Sequence, residues 1–136
     1  MRTIKFRGKS VHTGEWYYGD LHQPANGICY IQPRGTTGYM VAPETVGQYT
    51  GLKDKNGKEI YEGDTITWLR HRMDGTGFIE QGHVEWRDIE GCYVVVNRFD
   101  TRDGRELIHL LIRCTEDIKV VGNIHDNPEL SKGGEQ

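Results

Sequence analysis

Apolar and polar positions alternate along most of this chain with the period of two expected of half-buried strands, in short runs that end at Gly, Asn or Pro. Thr3 to Arg7 puts Ile4 and Phe6 on one side, and Glu15 to Leu21 is rich in aromatics. The turn His12-Thr13-Gly14 between them predicts a hairpin. Ile28 to Gln32 follows the turn Pro24-Ala25-Asn26-Gly27 and predicts a third strand. Thr65 to Arg70 sets Ile66 and Trp68 in one row, and Asp74-Gly75-Thr76-Gly77 leads into Phe78 to Trp86, with Gly82 as the expected bulge. Cys92 to Val96 is a β-branched run suited to a buried strand. Glu106 to Thr115 supports two readings. Leu107, Leu110 and Leu111 fit a helix, whereas Ile108, Leu110 and Ile112 fit a strand, and either would dock on a barrel. Asn127-Pro128-Glu129 predicts a single helical turn, and nothing in 131–136 can be buried, which predicts a flexible tail.

Thr45 to Asp64 carries four turn devices and almost no catalytic chemistry. Its glycines mark positions of positive φ or tight reversal, and Asn56-Gly57 is the pair best suited to a type I′ hairpin turn. With 18 glycines in 136 residues, composition favours many short strands over long helices, so an all-β fold is expected. Two internal echoes, Tyr17 to Leu21 with Ile60 to Asp64 and Val46-Gly47-Gln48 with Val121-Gly122-Asn123, are read as reuse of turn chemistry rather than as duplication.

The run Thr45 to Asp64 resembles the signature of the YopX family, small proteins encoded largely by phages and prophages. Val121-Gly122-Asn123-Ile124-His125-Asp126-Asn127-Pro128-Glu129-Leu130 is similar to that family's closing motif, and Ile4-Lys5-Phe6-Arg7-Gly8 to its opening. The resemblance implies a predominantly β fold of SH3-like character, a phage origin and no catalytic residues to carry over. Residues 1–130 are therefore expected to form one YopX-like β domain. Residues 1–50 would be N-terminal strands forming a β subdomain, and 51–124 a small SH3-like barrel.

Charge and candidate chemistry narrow the function. A net charge of −3 works against nonspecific attraction to phosphate, which disfavours nucleic acid as a partner. No apolar run has the length of a membrane span, and the first residues lack the core of a signal peptide, so a cytoplasmic protein is expected, in the host cytoplasm if phage-encoded. Cys29, Cys92 and Cys114 are widely spaced and read as reduced thiols, with no disulfide, metal or other cofactor. His71, His83, His109 and His125 lack a shared spacing for metal ligation. Glu80, Glu85, Asp88 and Glu90 alternate with Ile79, Val84 and Trp86 as the wet face of a strand does. The basic clusters Arg70-His71-Arg72 and Arg98, Arg102, Arg105 are largely cancelled by neighbouring carboxylates.

The function expected is a non-enzymatic binding module for a host or phage protein. The alternative is a nucleic-acid-binding regulator in which Tyr49, Tyr61, Trp68 or Trp86 stack on bases. A homo-oligomer is also expected, because only Arg34 is charged between Ala25 and Val41, which would leave a strand edge there poorly protected.

Overall fold

The computed structural model describes residues 1–97, 100–106 and 117–131, with backbone alone at 100–106 and 131. The tail beyond Ser131, Cys114, His109, Arg98 and nearly all of Glu106 to Thr115 lie outside the described residues. The fold is all-β. The strands are β1 (Phe6–Lys9), β2 (Trp16–Ala25), β3 (Ile28–Gln32), β4 (Tyr39–Val41), β5 (Gly47–Lys53), β6 (Glu59–Tyr61), β7 (Asp64–His71), β8 (Gly77–Arg87), β9 (Cys92–Asn97), β10 (Asp100–Glu106) and β11 (Lys119–Asn123). A 3-10 turn at Pro43–Thr45 and the helical turn α1 (Pro128–Ser131) complete the described elements. The chain divides into two compact units, Met1–Gly51 and Leu52–Gln136. One sheet has the order β4-β3-β2-β1-β5-β6 and the other β10-β9-β8-β7-β11.

Both units follow one connectivity. Four consecutive strands form an antiparallel meander, and a fifth returns to pair with the first: β5 with β1, and β11 with β7. A glycine of each fifth strand faces the second residue of the first, Gly47 opposite Arg7 and Gly122 opposite Thr65. The echo between Val46-Gly47-Gln48 and Val121-Gly122-Asn123 thus falls on strands of matching register. The other echo has no such equivalence, because Tyr17 to Leu21 lies inside β2.

The first unit closes on itself. The free side of β1 is shared: Tyr49 donates its N–H to the Lys5 carbonyl, while beyond the strand Val11 donates to Met40, Ala42 to Lys9, and Ser10 bridges to Val41. Thr45 fills the gap where the partner changes, its hydroxyl accepting the Lys9 N–H at 2.9 Å and donating to the Ala42 carbonyl at 2.6 Å. The core holds Cys29, Ile31 and Val41, with Phe6, Tyr17, Leu21 and Val46 against it. Strand β3 is therefore an interior strand, and the outer side of β4 is occupied by residues 9–11. This removes the open edge on which the expectation of self-association rested.

Two strands differ most from the sequence reading. β1 runs from Phe6 to Lys9 rather than from Thr3 to Arg7, and its inward position Gly8 has no side chain, which lets Val41 and Ile31 pack against the backbone. β2 runs on through Pro24 to Ala25, with a register shift between His22 and Ala25 where proline has no N–H to donate. Gly82 is not a bulge, since the pairing of β8 with β7 and with β9 is continuous through it. It permits close approach instead: a Cβ there would meet the Val96 carbonyl oxygen at 2.7 Å.

In the second unit, Ile60, Ile66, Trp68, Val84, Val95, Ile118 and Val120 form the core, with Leu52 and Tyr93 packed on it. Asp54 joins its parts. This nearly buried carboxylate accepts three backbone N–H bonds, from Asn56 at 2.8 Å, Lys58 at 2.9 Å and Val120 at 2.9 Å. It also corrects the turn expected at Asn56-Gly57. A type I′ turn needs positive φ at both residues, yet only Gly57 has it, at 80°. The Gly57 N–H bonds the Asp54 carbonyl at 3.0 Å and the Asp54 N–H bonds the Lys58 carbonyl at 2.8 Å, which makes a three-residue loop with a left-handed glycine at its end. By holding the amides of Asn56 and Lys58, the aspartate selects this loop over the two-residue turn. The β7–β8 loop repeats the design. Gly75 donates to Arg72 at 3.0 Å, Arg72 to Thr76 at 2.7 Å, and Asp74 accepts the Thr76 N–H at 2.9 Å.

Burial on its own pushes the Asp54 carboxyl up, but the amides of Val120, Lys58 and Asn56 and the nearby Lys58 charge outweigh it, leaving the group below the ordinary value of 3.8. A folded carboxyl that resists protonation more than the unfolded one stabilises the fold fully at neutral pH, and loses that contribution as pH falls below 3.8. Asp54→Asn, whose NH2 cannot accept from amides, should cost about 2 kcal/mol at pH 7 by denaturant unfolding and flatten the fall in stability below pH 4. Equal stability of variant and parent at pH 7 would contradict this account. Gly19→Ala should be at least as damaging, because its Cβ would press on the backbone of Gln32 and Pro33, which cannot give way as a side chain can. Gly19→Ala should melt several degrees below the parent in a thermal scan.

Candidate functional site

The four aromatic residues singled out from the sequence separate by burial. Trp68 lies in the same row as Ile66 and is buried in the core, its indole N–H donating to Glu80 at 3.0 Å. Tyr61 is buried at the end of β6 with its hydroxyl on Glu59 at 2.9 Å, and Tyr49 is buried with the Lys5 ammonium 5.8 Å from its ring centre. Base stacking needs an open ring face, so these three are unavailable to it. Trp86 alone is open, with 44% of its surface exposed.

Trp86 shares the inner face of β8 with Val84, but stands at the strand's end, where the core stops. Two contacts fix its ring. Tyr93, its cross-strand partner on β9, meets it edge to face at 5.0 Å, and its Nε1–H donates to Asp88 Oδ1 at 2.7 Å. The loop beyond is closed by the Gly91 N–H on the Arg87 carbonyl at 2.8 Å, with Gly91 at φ 66°, and it lifts Ile89 into solvent, 98% exposed. A rigid aromatic ring beside an exposed aliphatic residue is an unusual thing to leave in water. Ile89, Tyr93 and the role of Asp88 were not picked out from the sequence. The available signal was an isoleucine at a turn otherwise made of Arg87, Asp88, Glu90 and Gly91.

The carboxylates around this hairpin do not form a pair. Glu80 holds the Trp68 indole and Arg70 at 3.1 Å, Glu85 lies 3.1 Å from His83 Nε2 and 3.5 Å from Arg87 Nε, and Asp88 holds Trp86. Glu90 reaches Arg87 at 4.0 Å. In the basic cluster, Arg70 is paired and Arg72 lies over the Phe78 ring at 4.3 Å. Among the described residues, no three His, Cys, Asp or Glu side chains converge as metal ligands, and no helix is long and apolar enough to cross a membrane. Cys29 is a buried free thiol, and Cys92 is half-buried.

The polar residues of the two sequence motifs serve the backbone. Asp64 accepts the Tyr61 N–H at 2.7 Å, Asn123 accepts from His125 at 2.9 Å and from Asp126 at 2.8 Å, and Asn127 accepts from Asn123 at 3.3 Å. Residues 5–132 match the family described as YopX protein. The chain belongs to the YopX family. No curated protein matches it. This YopX protein is similar in fold to protein EF1440 from Enterococcus faecalis, known from a crystal structure, with a TM-score of 0.60 and 22% sequence identity. The match covers 96% of this chain and 99% of that one.

The different settings of two tryptophans of this YopX protein predict different costs. Trp68→Ala should lose about 3 to 5 kcal/mol, whereas Trp86→Ala should lose roughly 1 kcal/mol. Denaturant unfolding of both variants checks this, and equal losses would show that Trp86 is a core residue rather than a surface one.

Proposed function

We propose that this YopX protein is a non-enzymatic binding module that engages a protein partner through Trp86 and Ile89, acting in the host cytoplasm as the phage association of such sequences suggests. The observation that carries the reading is the exposed Trp86 ring, locked by Asp88 and Tyr93 next to the fully exposed Ile89. Tryptophan is among the residues that contribute most at protein interfaces, and a ring already held in place costs little to order on binding. The non-enzymatic reading draws on Asp54, Asp64, Asn123 and Asn127, which bond backbone amides.

A nucleic-acid-binding regulator is the weaker reading. Of its four proposed stacking residues only Trp86 has an open face, and the carboxylate at the edge of that ring would repel a phosphate. Affinity capture from infected or lysogenic host cells separates the two. A host or phage protein retained by the native chain should be lost with Trp86→Ala and with Ile89→Ser, while both variants keep their cooperative melting. Retention of the same protein by both folded variants would overturn the assignment of the surface.

A further inference from the structure

We propose that Trp86 receives a cationic side chain, arginine or lysine, from an extended segment of the partner protein. This rests on the reading of Trp86 as an interaction surface and names what seats on it. The chain already pairs cations with rings within its own fold: Arg7 lies over Trp16 at 4.8 Å, Arg72 over Phe78 at 4.3 Å, and Lys5 over Tyr49 at 5.8 Å. Trp68 is enclosed in the core. Trp86 therefore presents an open indole face, and among the described residues no cation covers it.

Two features tune that face for positive charge. The Nε1–H donates to the Asp88 carboxylate at 2.7 Å, a charge-assisted bond that pushes electron density into the ring and deepens the negative potential over its face. The surrounding charge has the same sign. Between Glu85 and Glu90 there are three carboxylates and one guanidinium, and that guanidinium, Arg87, is already bracketed by Glu85 at 3.5 Å and Glu90 at 4.0 Å. A visiting cation would meet the ring below it and the Asp88 carboxylate at the ring's edge. Ile89, three residues on in the same hairpin loop and almost wholly exposed, adds an apolar side chain to this end of the strand pair.

The test follows the Trp86 indole N–H resonance by NMR, identified by its loss in Trp86→Phe. The probes are a blocked Gly-Arg-Gly-Arg-Gly peptide, the same peptide with citrulline in place of arginine, and an eight-residue oligothymidine. The arginine peptide should move the resonance saturably. The citrulline peptide, equal in shape but neutral, should bind about two- to fivefold more weakly, and Asp88→Asn should weaken the arginine peptide by a similar factor while its amide oxygen still holds the indole. Equal binding of the two peptides would overturn the cation while leaving Trp86 as a protein-binding surface. No shift with either peptide, when Trp86→Ala still abolishes capture of the cellular partner, would do the same. A shift with oligothymidine alone would overturn both the cation and the protein-binding reading.

Discussion

One carboxylate holds together the parts of the second unit that are farthest apart in sequence. Asp54 accepts amide bonds from its own loop at Asn56 and Lys58 and from Val120, 66 residues away. On either side of it, Lys55 donates to the Ile118 carbonyl at 3.0 Å and Ile124 donates to the Gly63 carbonyl at 2.9 Å. The two most recognisable stretches of the sequence, the signature up to Asp64 and the closing motif from Val121, therefore flank one seam. A buried amide without a partner costs more than a hydrogen bond gains, so Val120 depends on Asp54 as much as the loop does. Residues that look like a functional signature are the means by which the last strand is held.

The common connectivity of the units gives that seam a context. In each, a glycine of the fifth strand stands opposite the second residue of the first strand: Gly47 opposite Arg7, Gly122 opposite Thr65. At Gly122 the need for glycine is steric, because a Cβ would fall 2.5 Å from Asn127 Oδ1, the oxygen that also accepts the Asn123 N–H. The units hold their fifth strands by different means. The first relies on backbone bonds such as the Tyr49 N–H on the Lys5 carbonyl, and the second adds the Asp54 carboxylate on the Val120 N–H.

Alternation made the strands legible wherever the inward positions carry large apolar side chains. β3 was read with its observed limits, and the rows Ile66–Trp68 and Cys92 to Val96 lie where the pattern put them. It failed where glycine occupies an inward position, as at Gly8, or stands for close approach rather than irregularity, as at Gly82. The loop at Asn56-Gly57 was misread because the pair alone favours one turn, while an aspartate two residues earlier decides for another. The surface at Trp86 was half legible. The tryptophan was noted, but so were three aromatic residues that the core claims, and exposure depends on where along a strand the covering layer ends. That is settled by what the other strands place over each position, such as Tyr93 opposite Trp86 and Val95 opposite Val84, rather than by any residue's immediate neighbours.

Pairing the fifth strand with the first also sets an order on events during synthesis. β1 is made before its partners, and one side of it stays unsatisfied until Tyr49 and the residues around Val41 have followed. β7 waits longer still, for the strand that ends at Asn123. Local hairpins such as β8–β9 can form as soon as they emerge, but neither unit can bury its last backbone groups before its final strand arrives, and closures of this kind are intrinsically slow. For a growing chain, then, the second unit carries an unfinished edge until β11 has been made, and the interval between synthesis of β7 and of β11 is when a chaperone or a premature partner would find it open.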